Sequence, residues 1–303
     1  MSDIRIYNQS QAQSLVPLTG DVILCTESFN SAPANSVHLC TNATGPVWKS
    51  FANDAAVEAA FVNQYSLSFN GSSDYLEAGS KFDFIQQTCN FTASVWLKIN
   101  DINTDALQGF MGNNYTSTSY GLYLFYDNRS SGGSNKKLRV LFSANTSNTD
   151  ISISNGITDN AWHHYAVTCT GSGGTLSLYV DGSLVDSTTA PATTSNSAFG
   201  NFRFGSAHNN SAYFGGFMDE AAIFSSALTS EQVASLIDSS GVNPVPADIS
   251  GLNPSAWYRM GDDANDTFVD GGLVSGIQDS SGSGNHATTV ANSQPTFSTA
   301  VPS

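Results

Sequence analysis

The sequence predicts an all-β protein: an antiparallel two-sheet jelly-roll sandwich with an N-terminal β-hairpin unit and a C-terminal β-extension. Three observations carry this reading. From about Tyr65 to Asp238, short runs alternate apolar and polar residues with the period of two that half-buries a strand. Each run is bounded by Gly, Asn, Asp or Ser, the residues that close tight turns. The chain is also poor in helix-forming charge, with 12% charged residues among 303 and 26 glycines.

Residues 1–64 read as a separate small unit. Here "GDVILCTES" and "NSVHLCTN" are β-runs joined by the loop "FNSAPA", and "GPVWKSF" is a third extended piece. "NDAAVEAAF", from Asn53 to Phe61, has the polar start and apolar spacing of a short helix. The sandwich is assigned to residues 65–240. "YSLSF" turns through "NGSSD" into "YLEAG", and in "FTASVWLKI" the residues Phe91, Ala93, Val95, Leu97 and Ile99 share one face. "YGLYLFYD", "KLRVLFSA" and "DISISNGI" follow, then "WHHYAVTCTGSGGTLSLYVDGSLVDST", whose "DG" is a hairpin signal. "NFRFGSA" and "GGFMDEAAIFSS" are the last strands. Thr229 with Gln232 forms a capping box for a helix whose stripe is Val233, Leu236 and Ile237. Residues 241–255, with Pro244, Pro246 and Pro254, read as a linker. Residues 256–303 contain too few strands for a second sandwich and read as an accessory β-segment.

Ten Lys and Arg stand against 25 Asp and Glu, a formal net charge of -15. That surface repels phosphate backbones, and no basic stripe with interleaved aromatics is present, so nucleic-acid binding is not expected. No apolar run is long enough to span a bilayer, and "MSDIRIYNQS" lacks the pattern of a signal peptide, so no membrane insertion is expected. Cys25, Cys40, Cys89 and Cys169 have no metal-ligand spacing. Cys25 and Cys40 could face one another across a hairpin as a disulfide, or remain two buried thiols in a reducing compartment.

The stretch "NAWHHYAVTCTGSGGTLSLYVDGSLV", from Asn160 to Val185, resembles the strand pair of concanavalin A-like, laminin-G-like and pentraxin-like jelly rolls. "SLSFNGSSDYLEAG" resembles the first strand of that family, and "GGFMDEAAIFSSALTSEQVASL" its closing strand and helix. The resemblance implies a module that binds sugars, proteins or calcium, or serves as a spacer. More locally, "TGDVILCTE…VHLCTNATGPVWKSF" resembles a hairpin of phage tail and capsid-appendage proteins. "AWYRMGDDANDTFVDGG…IQDSSGSGNHATT" resembles segments beside laminin-G-like domains in virion proteins of marine phages.

Candidate sites follow from both lines of reading. By family resemblance, Asp219 would bind a structural calcium with Asn70 and Gly71, assisted by Asp74; the alternative is an Asp bonded to turn amides. Strand alternation would turn one of Asp219 and Glu220 inward or toward the cation and the other to solvent. Tyr115, Tyr120 and Tyr213 lie in Asn-, Ser- and Gly-rich surroundings and offer a glycan platform or, alternatively, caps on the core. His163 and His164 are adjacent on a strand, point to opposite faces and are assigned to packing. Asp262, Asp263, Asp266 and Asp270 lack EF-hand spacing and read as a solvated turn. The related β-glucanases carry a Glu-x-Asp-x-x-Glu strand motif that the five glutamates here do not reproduce, and no G-x-S-x-G elbow is present, so no enzyme is expected. The functional expectation is a phage virion appendage protein displaying a lectin-like sandwich. Its expected partners are other virion proteins, further copies of itself as a homo-oligomer and surface glycans. The alternative is a bacterial or environmental carbohydrate-binding module working outside the cell, and a glycoside hydrolase relative comes third.

Overall fold

The computed structural model describes four strands within residues 1–62, and residues 63–302 apart from 114–120, 134, 145–146, 193, 195–199, 207–211 and 242. The chain divides into two compact units, Met1–Val62 and Asn63–Ser303.

In the first unit, β1 (Arg5–Tyr7), β2 (Val22–Cys25), β3 (Ser36–Cys40) and β4 (Trp48–Phe51) form one four-stranded sheet in chain order. The three extended pieces read from the sequence become β2, β3 and β4, and β1 joins β2 in parallel. Cys25 pairs with Ser36 and Leu39 with Val22, which places Cys25 and Cys40 at opposite ends of the β2–β3 ladder. That separation exceeds disulfide reach and removes the first of the two alternatives, a Cys25–Cys40 bridge across the hairpin. The helix expected over Asn53–Phe61 lies outside the described residues.

The second unit is a sandwich of two eight-stranded sheets. Its strands are β5 (Ser66–Asn70), β6 (Leu76–Gly79), β7 (Asn90–Ile99), β8 (Leu107–Gly112), β9 (Gly121–Asp127), β10 (Lys137–Ala144), β11 (Ser147–Ile153), β12 (His163–Thr170), β13 (Thr175–Val180), β14 (Ser183–Thr189), β15 (Phe202–Phe204) and β16 (Gly215–Phe224). After a small ribbon of β17 (Ile237–Asp238) and β18 (Val245–Pro246) come β19 (Ala256–Tyr258), β20 (Gly276–Ile277), β21 (Ala287–Thr289) and β22 (Thr296–Ser298). The first sheet runs β14-β13-β12-β7-β16-β5-β22 with β19 also on β16, and the second runs β11-β10-β9-β8-β15-β6-β21-β20. Every pairing in this unit is antiparallel, as expected of strands joined by tight turns.

Alternation sorts the side chains between the layers. Phe91, Ala93, Val95 and Leu97 of β7 and Leu122, Leu124 and Tyr126 of β9 share the core between the sheets. The opposite face of the first sheet is buried as well. There Ala166, Ala222 and Phe224 pack against Leu228, Val233, Leu236, Ile249 and Trp257. Thr229 caps α2 (Ser230–Ala234) through the capping box, its hydroxyl accepting from the Gln232 amide. An earlier one-and-a-half-turn helix, α1 (Phe84–Thr88), was not legible because its five residues are too few for a 3.6 period to show.

The C-terminal residues are not an appendage. β22 lies beside β5, β21 beside β6, and β19 beside β16, so the tail supplies strands to both sheets. The stretch read as a linker packs Ile249 and Leu252 over the first sheet. The proline count hid this, since prolines mark irregular backbone without saying whether it is buried.

Burying Trp257, Tyr258, Ile277 and Phe297 contributes on the order of 2 kcal/mol each, together comparable with the net stability of a domain. The fragment 1–240 is therefore expected to lose its cooperative thermal transition by calorimetry. A fragment that melts like the intact chain would show the tail to be dispensable.

Candidate functional site

The outer face of the second sheet collects groups that the sequence scatters. Because Leu122, Leu124 and Tyr126 face the core, Tyr123, Phe125 and Asp127 of β9 face outward. Their neighbours on β10 are Arg139 and Leu141, and one row continues through Gly112 of β8, Arg203 of β15 and Glu77 of β6 to Thr288 of β21. Three of the chain's five arginines, Arg129, Arg139 and Arg203, thus stand on one face of one sheet.

Each arginine is held by a carboxylate. Arg129 grips Asp127 with Nε and Nη2, both at 2.9 Å, and this fork holds the Asp127 carboxyl below its ordinary pKa. Arg139 bridges Asp127 at 3.4 Å and Asp150 at 2.5 Å, with its guanidinium 5.0 Å from the Phe125 ring centre. Arg203 donates to Glu77 from Nε at 2.8 Å, and Asn201 Nδ2 donates to the other Glu77 oxygen at 2.9 Å. The Arg203 guanidinium lies 4.5 Å above the Tyr75 ring, which in turn neighbours Tyr213 at 6.4 Å. Tyr75, Tyr123 and Phe125 are buried at 5%, 6% and 3% exposure, so they set the positions of the polar groups rather than offer open rings. Tyr213 and Arg203 are half-buried and Asn201 is exposed.

Of the tyrosines singled out from the sequence, Tyr213 joins this face, while Tyr115 and Tyr120 lie outside the described residues. Sequence reading missed Glu77, Asn201, Arg203, Arg129 and Arg139, because strand pairing brings them together across as many as 126 positions. The available signal was the placement of Arg139 and Arg203 at outward positions of alternating strands; Arg129 lies in the turn just after β9.

The proposed calcium ligands are not brought to one place. Asn70 pairs with Gly215, whereas Asp219 lies four residues further along β16, roughly 13 Å away at strand spacing. The Asn70–Asp74 turn uses its own polar atoms. Asn70 Oδ1 accepts from the amides of Ser72 and Ser73, and Asp74 Oδ2 accepts from the Asn70 amide at 2.9 Å. Gly71 sits against the Gly215 backbone with φ +75. Asp219 therefore does not stand beside Asn70, Gly71 and Asp74. Among the described residues, no group of three or more His, Cys, Asp or Glu side chains converges as a cation site.

Asp219 instead belongs to a buried ionic cluster at a β-bulge. Asp219 pairs with Trp96 and Ala222 with Ser94, so β16 carries one residue more than β7 here. Met218 and Ala221 both face the core, which leaves Asp219 and Glu220 together on the other side, with Glu220 at φ +43. This corrects the expectation that one of the pair faces solvent, since both are buried. Asp219 accepts from Asn63 Nδ2 at 2.8 Å and from the Glu220 amide. Glu220 accepts from Trp257 Nε1 and from Arg259 Nε. Burial pushes Glu220 up to about 7 against the pull of Arg259, and burial followed by the Glu220 charge raises Asp219 well above the usual carboxylate range. Asp262 receives the amides of Gln64 and Tyr65.

The two histidines separate as alternation requires. His164 is fully buried beside Trp96, and burial pulls its imidazole down to about 4. His163 bridges Asp181 at 2.7 Å and Asp159 at 3.0 Å.

Two antiparallel eight-stranded sheets packed face to face form the jelly-roll sandwich of the lectin-like fold. A family model described as the concanavalin A-like lectin/glucanases superfamily matches residues 70–234, more than half of the chain, and the chain belongs to that family. Among solved structures, a candidate carbohydrate-binding protein from Bacteroides ovatus aligns at TM-score 0.52 and 17% identity, covering 93% of this chain and 70% of that one. A heptameric pentraxin of Limulus polyphemus aligns at TM-score 0.45 and 16% identity over 62% of this chain and 94% of its own. The sialidase-borne CBM40 domain of Ruminococcus gnavus aligns at 0.45 and 12% over 57% and 97%. No curated protein sequence matches the chain.

The His163 bridge makes a pH prediction. Its hydrogen bond to Asp181, the largest influence, raises the imidazole up to about 9 from an ordinary value near 6.5. The charged form is favoured by the fold, so this stabilisation is complete below about pH 6.5 and is lost as pH rises through 9. Tm of the intact protein minus Tm of His163→Gln should therefore shrink between pH 6.5 and 9.5. A difference that does not vary with pH would rule the bridge out as a stabilising ion pair.

Proposed function

We propose that the chain is a non-catalytic glycan-binding module whose ligand lies across the outer face of the second sheet. The observation that carries this reading is the gathering of three arginines, their carboxylate partners, Asn201 and Tyr213 on one face of a lectin-family sandwich. Sugar hydroxyls need paired donors and acceptors in fixed positions, and the Arg203–Glu77–Asn201 array supplies both within one network. Tyr213 adds an apolar ring edge against which a pyranose can rest. The carboxylate of Asp127, kept ionised by Arg129, suits an acceptor and not a general acid.

A second reading concerns where such a module works. The separate unit Met1–Val62, with its own four-stranded sheet, favours attachment to a larger assembly, consistent with a virion appendage. Mass spectrometry of purified particles tests that placement, and a chain absent from particles removes it.

Glycan-array retention tests the binding itself. Tyr213→Ala and Arg203→Met should each lower retention about tenfold, as expected for losing a stacked ring or a charged hydrogen bond. Hydrolysis of the bound glycan, or retention unchanged in both variants, would overturn the proposal.

A further inference from the structure

The C-terminal residues build a groove of about 390 Å³ that the sequence had suggested only as a solvated turn. Its walls come from the loop after β19, from β20 and β21, and from Phe297 of β22. Because β20 ends the second sheet, the groove lies at an open edge. Its volume falls in the range of small-ligand sites, roughly 300–1,000 Å³.

The lining has a definite chemistry. Asp266 Oδ1 accepts from the Gln278 amide at 2.8 Å, the Gly261 amide also faces this carboxylate, and the buried Oδ2 makes no hydrogen bond of good geometry. An acceptor in that position is costly until a donor reaches it. His286 Nδ1 accepts from the Asp279 amide at 3.1 Å, which fixes the proton of the neutral ring on Nε2 and makes that nitrogen a donor. Thr288 adds a hydroxyl that donates weakly to the Glu77 carbonyl at 3.5 Å and keeps its oxygen as an acceptor, and Leu273, 65% exposed, forms an apolar lip. No Lys or Arg lines the groove, and the chain as a whole carries -15. Anionic ligands are disfavoured there, whereas an uncharged molecule with hydroxyls on one side and C–H groups on the other fits.

We infer that this groove, at the β20 edge of the second sheet and distinct from the Arg203–Glu77–Asn201 array, is a second sugar site that takes one neutral pyranose unit between Asp266, His286, Thr288 and Leu273. The class of ligand rests on the glycan-binding reading above, but the position does not.

Amide NMR of the intact chain tests it, with the methyl glycosides of glucose, galactose and N-acetylglucosamine as probes and glucuronate as the anionic control. At least one neutral glycoside should shift the amides of Asn265, Gln278 and His286 saturably, and glucuronate should not. Asp266→Asn, which retains the acceptor for Gln278, should weaken that response about tenfold. Leu273→Ala, at an exposed position that cannot unfold the chain, should weaken it several-fold. Tyr213→Ala should leave it unchanged, because Tyr213 belongs to the Arg203–Glu77 array. Shifts confined to residues around Arg203 and Glu77 would overturn the second site while supporting the first. Groove amides that stay still for every glycoside, or that respond equally in both groove variants, would overturn it too.

Discussion

The second unit depends on the ionic cluster at the β16 bulge. Antiparallel strands seldom change partners midway, yet β16 pairs with β5 up to Met218 and with β19 from Ala221 onward. The extra residue at Glu220 bends the strand at that exchange and turns two carboxylates to one side. Two adjacent buried carboxylates repel one another and lose hydration, so the arrangement persists only with donors at hand. Trp257 and Arg259 provide them from the tail, and Asn63 from the entry to β5. The bulge therefore requires both ends of the unit, and both ends are anchored by it.

This explains why the tail is a structural part of the sandwich. Trp257 satisfies Glu220 with its indole N–H while its ring joins the cluster of α2 and Ile249. Arg259 lies 5.3 Å from that ring and donates to the Asp262 carbonyl, the residue whose carboxylate holds the amides before β5. The residues between Trp257 and Asp262 thus tie three segments together. The outer face of the second sheet uses the same device in a milder form, with guanidinium–carboxylate pairs laid over aromatic rings.

Much of the sandwich was legible because strand period and turn chemistry are local. β5 to β7 and β9 to β16, the DG hairpin at Asp181–Gly182 and the capping box at Thr229 all follow from residues within a few positions of one another, whereas β8, with two glycines in six residues, shows no alternation. The tail was misread for the opposite reason. β19 to β22 are two or three residues long, too short to show alternation, and they are strands only because β5, β6 and β16 offer them an edge. The candidate site divides in the same way. Tyr213 could be picked out from its loop, but Arg203 and Glu77 become partners only through sheet order, and the Asp219–Glu220 arrangement depends on a bulge with no sequence signature. Asp266 was read as one of several solvated carboxylates because its burial comes from segments folded over it later in the chain.

The pairing of β22 with β5 has a mechanical consequence. Ser298 lies opposite Ser66, and the Ser66 hydroxyl donates to the Ala300 carbonyl at 2.6 Å, so the two ends of the sandwich leave it side by side. A body whose entry and exit adjoin can be grafted into a surface loop of another protein, or cut and rejoined elsewhere, without redirecting its core. Pulling on both ends would load the short β5–β22 ladder like a zipper, one bond at a time. The remaining strands would stay unloaded until that ladder parts.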